Sequence, residues 1–126
     1  MQSFLLVGAG GALGAMCRYG ASVLVGRFWT AAFPLATLLI NIAGSTLMGV
    51  LVGLLARYTP AWSAEIRLFL ALGVLGGFTT FSSFSLDTIK LFERGEWPGA
   101  AAYVLLSVVL CLLGLYLGLL ATRGVA

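Results

Sequence analysis

Four long apolar runs, separated by short polar connections, set the strongest limit on what this chain can fold into. They cover residues 4–26, 33–56, 66–92 and 99–121. Each run has at least the roughly 20 residues that an α-helix needs to cross the hydrocarbon core of a bilayer. Since the runs take up nearly the whole chain, the sequence predicts one all-α integral membrane domain over residues 1–126, with four transmembrane helices.

Composition favours the same class of protein. Hydrophobic residues make up 61% of the sequence and charged residues 9%, and the mean hydropathy is +1.10. A soluble domain of this length buries only about two thirds of its surface, so it could not hide this much apolar material from water. The first run has no basic leader and no small-residue cleavage site, and we expect a retained span rather than a signal peptide.

The ionisable residues do not supply catalytic chemistry. The chain has no histidine, its two cysteines match no metal or redox spacing, and Asp87 is the one acid within a predicted span. A nucleophile–base pair, a metal cluster or a proton relay cannot be assembled from these groups. We therefore expect no enzymatic activity, no organic cofactor and no nucleic-acid partner.

Basic residues are divided almost evenly between the two sides of the predicted bundle. One side holds Arg57, Arg67 and Arg123, and the other holds Arg27, Lys90 and Arg94, with Arg18 inside the end of the first span. An excess of such charges normally fixes the orientation of a membrane protein. Either the chain has too few charges for the count to matter, or it inserts both ways and forms an antiparallel, dual-topology homodimer. Because four helices leave little room to surround a polar path, we favour a homo-oligomer.

Pairs of glycines at four-residue spacing occur in every predicted span. The pairs are Gly10 with Gly14, Gly49 with Gly53, Gly73 with Gly77, and Gly114 with Gly118. Small residues at this spacing let two helices approach closely in a membrane. They predict tight helix packing without showing whether the contact lies within one chain or between two.

Two polar stripes lie inside the spans. Thr37, Asn41 and Ser45 share one face of the second helix, and Tyr103, Ser107 and Cys111 share one face of the fourth. A mid-span asparagine either makes a hydrogen bond between helices or offers an amide donor to a permeating anion. Hydroxyls can also bond back to their own helix, so one stripe alone is weak evidence for a polar path. Two stripes that would face the same interior are stronger evidence for it.

The third run contains "GGFTTFSSFS" at residues 76–85, which is unlike an ordinary span. Paired glycines followed by Thr and Ser disfavour a regular helix, so we expect the third helix to be broken near its middle, within residues 76–80. Irregular backbone at membrane depth is tolerated where it is buried in protein or lines a cavity. A break would free carbonyl oxygens, which are hard ligands for a small cation; the alternative is a glycine-rich helix crossing. The accompanying hydroxyls, amide and aromatic ring edges suit a small, strongly hydrated anion.

Three segments together carry a family resemblance: "GGFTTFSSFS", the "N" of "LLINIAGS" (38–45) and "GGALGAMCRY" (10–19). On these the chain resembles, over essentially its whole length, the Fluc (CrcB) family of small bacterial fluoride channels. The resemblance implies passive, fluoride-selective export across the bacterial inner membrane. It also implies an antiparallel homodimer with two pores and a central structural sodium ion, held here by the carbonyls of Gly76 and Thr79.

The resemblance also assigns the fluoride pathway. Ring edges of Phe81 and Phe84 would face the ions, Asn41 would be the pore amide, and Arg18 would lie near the entrance. The full expected pathway is Arg18, Thr37, Asn41, Phe81, Ser82, Ser83, Phe84, Tyr103 and Ser107. The sequence departs from the family pattern at Phe78, Asp87, Cys111 and Leu115, which makes the fourth helix the less secure part of the assignment.

Two other functions fit a chain of this size. A small dual-topology exporter of cationic compounds would need a mid-membrane acid, usually in the first span, where this chain has Arg18 and no acid. A structural membrane subunit would explain the packing glycines but would leave both polar stripes without a role. Fluoride flux from liposomes distinguishes all three.

Overall fold

The computed structural model of the protein describes residues 1–123, which are all-helical apart from short connections. The helices are α1 (Gln2–Phe28), α2 (Leu35–Tyr58), α3 (Ser63–Ile66), α4 (Gly76–Phe78), α5 (Phe81–Glu93) and α6 (Trp97–Arg123). A π-helical segment, Arg67–Leu75, follows α3 directly and leads into α4.

Four stretches are long and apolar enough to cross a membrane: Gln2–Phe28, Leu35–Tyr58, Ser63–Glu93 and Trp97–Arg123. Their ends differ from the predicted apolar runs by one to three residues. The prediction of four membrane-spanning helices is therefore confirmed, and the chain is a multi-pass membrane protein.

The connections turn at residues suited to a turn. Pro34 lies immediately before α2, where its missing N–H removes no helical hydrogen bond. Thr59 ends α2 in the left-handed region, with φ of 38° and its N–H bonded to the carbonyl of Leu55. Gly95, between α5 and α6, has φ of 75°, which glycine adopts without the steric cost that other residues meet.

Helix α1 packs closely on the π-helical segment and α4 at glycines. Gly10 and Gly14 are its buried residues, and a Cβ on either would overlap backbone atoms of the neighbouring segment. Gly73 and Gly77 are the facing residues, and a Cβ on these would run into the backbone of α1. The two backbones thus touch directly, as small-residue packing allows in a membrane.

Helix α2 packs on α6 by the same means. A Cβ on Gly49 would overlap the carbonyl of Leu115, and one on Gly118 would run into the carbonyl of Thr46. Gly53 and Gly114 meet threonine side chains on the facing helix. All four glycine pairs noted in the sequence therefore lie at helix–helix contacts within one chain.

Side-chain packing is concentrated at one end of the bundle. Leu38, Leu91, Ala100 and Tyr103 form a buried cluster there, at the meeting of α2, α5 and α6. Most large apolar side chains elsewhere are exposed, including many on α1 and α6. Such exposure fits helices whose outer faces meet lipid rather than water.

Candidate functional site

The segment from Gly76 to Ser83 changes backbone conformation in its middle. Helix α4 ends at Phe78, and α5 begins at Phe81. Between them Thr79 has φ of −78° and ψ of 158°, and Thr80 has φ of −153° and ψ of 112°, so both residues are extended. An extended pair at this depth needs partners for its polar backbone groups, because lipid supplies none.

Asn41 supplies those partners from α2. Its Oδ1 accepts a hydrogen bond from the N–H of Thr80 at 2.8 Å, and its Nδ2 donates to the carbonyl of Thr80 at 3.0 Å. The amide thus holds both backbone groups of one extended residue. The interhelical hydrogen bond, one of the two uses considered for a mid-span asparagine, is therefore present. One of the two Nδ2 hydrogens remains for another acceptor.

Two carbonyls lose their usual helical donors as a result. In a continuous α-helix the N–H of Thr80 would donate to the carbonyl of Gly76, but it donates to Asn41. The N–H of Ser83 would likewise donate to the carbonyl of Thr79, but it donates to Oγ1 of Thr80 at 3.1 Å. The carbonyls of Gly76 and Thr79 are therefore released from these i, i+4 bonds.

Thr80 is also the N-cap of α5. Its Oγ1 accepts from the N–H of Ser83, the usual role of a threonine before a helix, and lies 3.2 Å from Oγ of Ser82. Thr79 bonds back instead: its N–H and its Oγ1 both donate to the carbonyl of Leu75, each at 3.0 Å. The two threonines thus have different roles: Thr79 is bonded to the last turn of the preceding helix, and Thr80 caps the start of α5.

A cavity of about 440 Å³ lies beside this segment, between α2 and α6; we call it the α2–α6 cavity. It brings together parts of both polar stripes. Its polar lining residues are Asn41, Ser45, Thr79, Thr80, Ser107 and Cys111, and the rings of Phe81 and Phe84 complete the wall next to the segment. The prediction that the stripes face one interior therefore holds for these residues.

Ser107 is the unusual member of this lining. Its side chain is 7% exposed, and among the described residues its Oγ finds no hydrogen-bond partner. Burying a hydroxyl without a partner is unfavourable. Ser107 is thus a lining residue of the cavity whose hydroxyl has no partner within residues 1–123.

A second cavity, of about 290 Å³, lies on the other side of Thr80; we call it the Arg18 cavity. It is lined by hydroxyls around a partly buried arginine. The lining residues are Ala15, Arg18, Tyr19, Ser22, Thr37, Ile40, Thr80 and Ser83. Within the part of the chain described here, no salt bridge neutralises Arg18, so its charge faces a cavity of neutral donors.

Aromatic rings form a continuous row along the bundle. Ring centroids of Phe81 and Phe84 are 5.3 Å apart, and those of Phe84 and Tyr103 are 5.1 Å apart. Phe33 meets Tyr103 edge-on at 5.6 Å. The hydroxyl of Tyr103 donates to Oδ2 of Asp87 at 3.1 Å, so its one proton is already engaged.

The predicted site residues are thus distributed over several places. Asn41, Thr79, Phe81, Phe84 and Ser107 line the α2–α6 cavity, whereas Arg18, Thr37 and Ser83 line the Arg18 cavity. Tyr103 is buried behind Phe84. Ser82 and Gly76 are exposed and lie outside both cavity linings.

Thr80 is a residue of the candidate site that the sequence pattern did not single out. It lines both cavities, caps α5 and holds Asn41. The signal available was a threonine directly before a helix start. Met48 also lines the α2–α6 cavity. The only sequence feature that could have indicated this is its position about one helical turn from Ser45. Residues 1–123 contain no group of three or more His, Cys, Asp or Glu side chains able to hold a metal ion.

Comparison with known proteins identifies the class. Residues 5–119 match the family described as CrcB-like protein, Camphor Resistance (CrcB). A protein of Cereibacter sphaeroides (strain ATCC 17029 / ATH 2.4.9), named fluoride-specific ion channel FluC, is 52% identical over 128 residues, covering 98% of this chain and 97% of its own length. Proteins of the same name from Paracoccus denitrificans (strain Pd 1222) and Ruminiclostridium cellulolyticum are 51% and 44% identical, covering 98% and 100% of this chain and 96% of their own lengths. The chain belongs to the CrcB family.

Proposed function

We propose that this protein is a fluoride-selective channel that lets fluoride leave the cell passively across the bacterial inner membrane. Curated relatives at about 50% identity are named fluoride-specific ion channels. The observation that carries the proposal is Ser107, which lines the α2–α6 cavity and whose buried hydroxyl finds no partner among the described residues. A small anion that accepts strong hydrogen bonds is the occupant that such a donor suits.

The proposed path joins the two cavities past Thr80. Arg18, Thr37 and Ser83 form an entrance in which one positive charge and neutral hydroxyls attract an anion. Ser82, exposed beside Thr80, belongs to the same approach. Beyond Thr80, the free Nδ2 hydrogen of Asn41, the edges of Phe81 and Phe84, and the hydroxyl of Ser107 line the continuation.

Tyr103 has an indirect role in this path. Its hydroxyl donates to Asp87 and its ring packs on Phe84. A phenol has a single proton, so Tyr103 donates to fluoride only after releasing Asp87. We therefore assign it to the pathway as the residue that supports the ring of Phe84.

The working unit is proposed to be an antiparallel homodimer with two pores. Phe81, which lines the α2–α6 cavity, is 78% exposed in the single chain. A second copy would cover it and close the cavity against lipid. Nearly balanced basic residues permit insertion in both orientations. C-terminal tags should then be accessible from both faces of intact cells, and strictly one-sided labelling would contradict the arrangement.

The backbone fits the sodium ion that such a dimer is proposed to hold. The carbonyls of Gly76 and Thr79 are released from i, i+4 bonding, and Gly76 is exposed where a second chain could approach. When bound, sodium supplies a positive charge that neutral oxygens can share between chains. These two residues would orient their carbonyls toward it, while Asn41 holds the extended backbone that frees them.

Gly76 also offers a test of this arrangement. A Cβ at this position would make only ordinary contact, 3.6 Å from the carbonyl of Ala71. Gly76→Leu should therefore leave the single chain folded and shift the protein from dimer to monomer in size-exclusion chromatography with light scattering. Thr79→Ser, which keeps the hydroxyl, is the control and should remain dimeric. A dimeric Gly76→Leu protein would contradict the proposed contact.

Fluoride efflux from liposomes tests the function itself. Purified protein is reconstituted in vesicles loaded with potassium fluoride or potassium chloride, and efflux is started with valinomycin and followed with ion-selective electrodes. The proposal expects rapid fluoride release and little chloride release. Release of both ions at equal rates would remove selectivity, and absence of fluoride release from dimeric protein would reject the channel.

A further inference from the structure

Two residues with sulfur-containing side chains line the α2–α6 cavity, and the fluoride path does not use them. Met48 lines the cavity from α2, and Cys111 lines it from α6. Cys111 is a free, half-buried thiol. The other cysteine, Cys17, is exposed on α1 and is not part of this lining.

A second observation points to an occupant at the same place. Ser107 lies one helical turn before Cys111, so the two side chains share one face of α6. Its Oγ is buried and finds no partner among residues 1–123. Cys111, Met48 and Ser107, whose hydroxyl finds no partner among the described residues, therefore line one cavity.

We propose that the α2–α6 cavity binds a soft monovalent cation, Cu(I) or Ag(I), between the Cys111 sulfur and the Met48 sulfur. Thiolate and thioether are the ligands that select such ions over hard cations such as sodium or magnesium. Ser107 adds a weak oxygen contact. The released backbone carbonyls of Gly76 and Thr79 are hard ligands, so the two cation sites differ in chemistry.

The binding step is a simple exchange of a cation for a proton. The metal–sulfur bond forms as the S–H bond of Cys111 breaks, and the proton leaves to solvent. The ion stays monovalent and no electron is transferred. The resulting thiolate–cation pair has no net charge, which limits the cost of burying it. Met48 donates a sulfur lone pair to the ion and releases no proton.

Silver binding to purified protein tests the site without any transport. The background is Cys17→Ser, which leaves one thiol per chain, and isothermal titration with silver nitrate in chloride-free buffer gives the stoichiometry and affinity. We expect one silver ion per chain in Cys17→Ser and none in Cys17→Ser/Cys111→Ser. Adding Met48→Leu, which conserves volume, should weaken binding at least tenfold.

Two results of the titration would overturn the inference. Equal affinity with and without Met48 would show a simple thiol adduct in place of a two-sulfur site. Silver binding that persists in Cys17→Ser/Cys111→Ser, with the protein still monodisperse, would locate the ion elsewhere.

The consequence for transport rests on the proposed function, since an ion in this cavity would occupy the fluoride path. Silver should block fluoride efflux from Cys17→Ser liposomes, and the half-blocking concentration should rise at least tenfold when Cys111→Ser is added. Each variant is compared with its own silver-free efflux. If fluoride flows and silver neither binds nor blocks, the inference fails alone. If silver binds as expected but silver-free liposomes release no fluoride, the proposed function fails and the metal site remains.

Discussion

The contact between α2 and α6 has two halves. Both are built from residues four apart in sequence, but one half is tightly packed and the other borders a cavity. In the closed half, Gly49 and Gly118 bring the two backbones into direct contact. In the open half, Asn41, Ser45 and Ser107 border the α2–α6 cavity. Residues four apart share a helix face in both halves. The difference teaches that residue size decides whether such a face seals the bundle or leaves a polar space inside it.

A charge in the open half should have the largest effect. Asn41→Asp keeps an oxygen for the N–H of Thr80 but places a negative charge beside an anion path. At an effective dielectric of about 20, two charges 4 Å apart interact by about 4 kcal/mol, which is on the order of a 1000-fold loss in rate. Fluoride efflux from dimeric protein measures the loss.

The matched variant is Asn41→Leu, which removes both hydrogen bonds to Thr80 without adding charge. It should lower thermal stability, because two backbone groups lose their partners, and it should reduce efflux less than the aspartate does. Equal efflux in the two variants would show that the hydrogen bonds, and not the charge, control conduction.

Adding a methyl group in the closed half should have the next-largest effect. Gly49→Ala forces its Cβ into the carbonyl of Leu115, and overpacking of this kind costs about 1–3 kcal/mol. Gly20→Ala is the control, because no atom lies within 4 Å of its Cβ position and alanine favours helix by up to about 1 kcal/mol. Thermal unfolding in detergent should show the first variant less stable and the second unchanged or more stable. An equal midpoint for both would contradict the direct backbone contact.

Removing the hydroxyl of Ser107 tests the open half, because the change should lower fluoride efflux without lowering the stability of the fold. Ser107→Ala deletes a buried polar atom that finds no partner among the described residues, so stability should hold or rise by up to about 1 kcal/mol. Efflux should fall by roughly 10- to 100-fold, since a hydrogen bond to a charged group contributes about 1.5–3 kcal/mol. Ser85→Ala, whose hydroxyl bonds its own helix at Phe81, is the control with little expected change. A parallel loss of stability and efflux would make Ser107 a packing residue.

The smallest expected effect separates the two phenylalanines of the cavity wall. The ring of Phe84 makes tilted contacts with both Tyr103 and Phe81, whereas Phe81 is 78% exposed in the single chain. Changing Phe84 to leucine should cost about 1 kcal/mol more stability than the same change at Phe81, because it loses one more aromatic pair. Both changes should lower fluoride efflux, while Phe78→Leu should not. Equal efflux in all three variants would remove the role of the ring edges.

The spans and the close contacts could be predicted from the sequence because both depend on local patterns. Apolar runs of sufficient length specify membrane helices, and glycines four apart specify contacts, as at Gly10 and Gly14. The stripes were predictable only in part. Thr37 shares a face with Asn41 yet opens into the Arg18 cavity, because Thr80 stands between the two cavities.

The remaining features depend on packing between distant segments. The bond between Asn41 and Thr80 joins residues 39 apart in sequence, and the one between Tyr103 and Asp87 joins residues 16 apart. No spacing rule pairs them. The π-helical segment Arg67–Leu75 likewise has no local signature, since its hydrogen bonds shift by one residue without a change in residue type.

Thr80 has a consequence for how a chain of this kind can be altered by mutation. It lines both cavities and its hydroxyl caps α5, so a single replacement there would remove the cap and change both cavity walls at once. Its backbone holds Asn41, and those two bonds do not depend on the side chain. Natural variation that retunes permeation has more freedom at Val108 and Leu112, which border the α2–α6 cavity through apolar contact alone. We expect differences in conduction rate between related channels to arise from changes at these two positions of α6, while Thr80 stays unchanged.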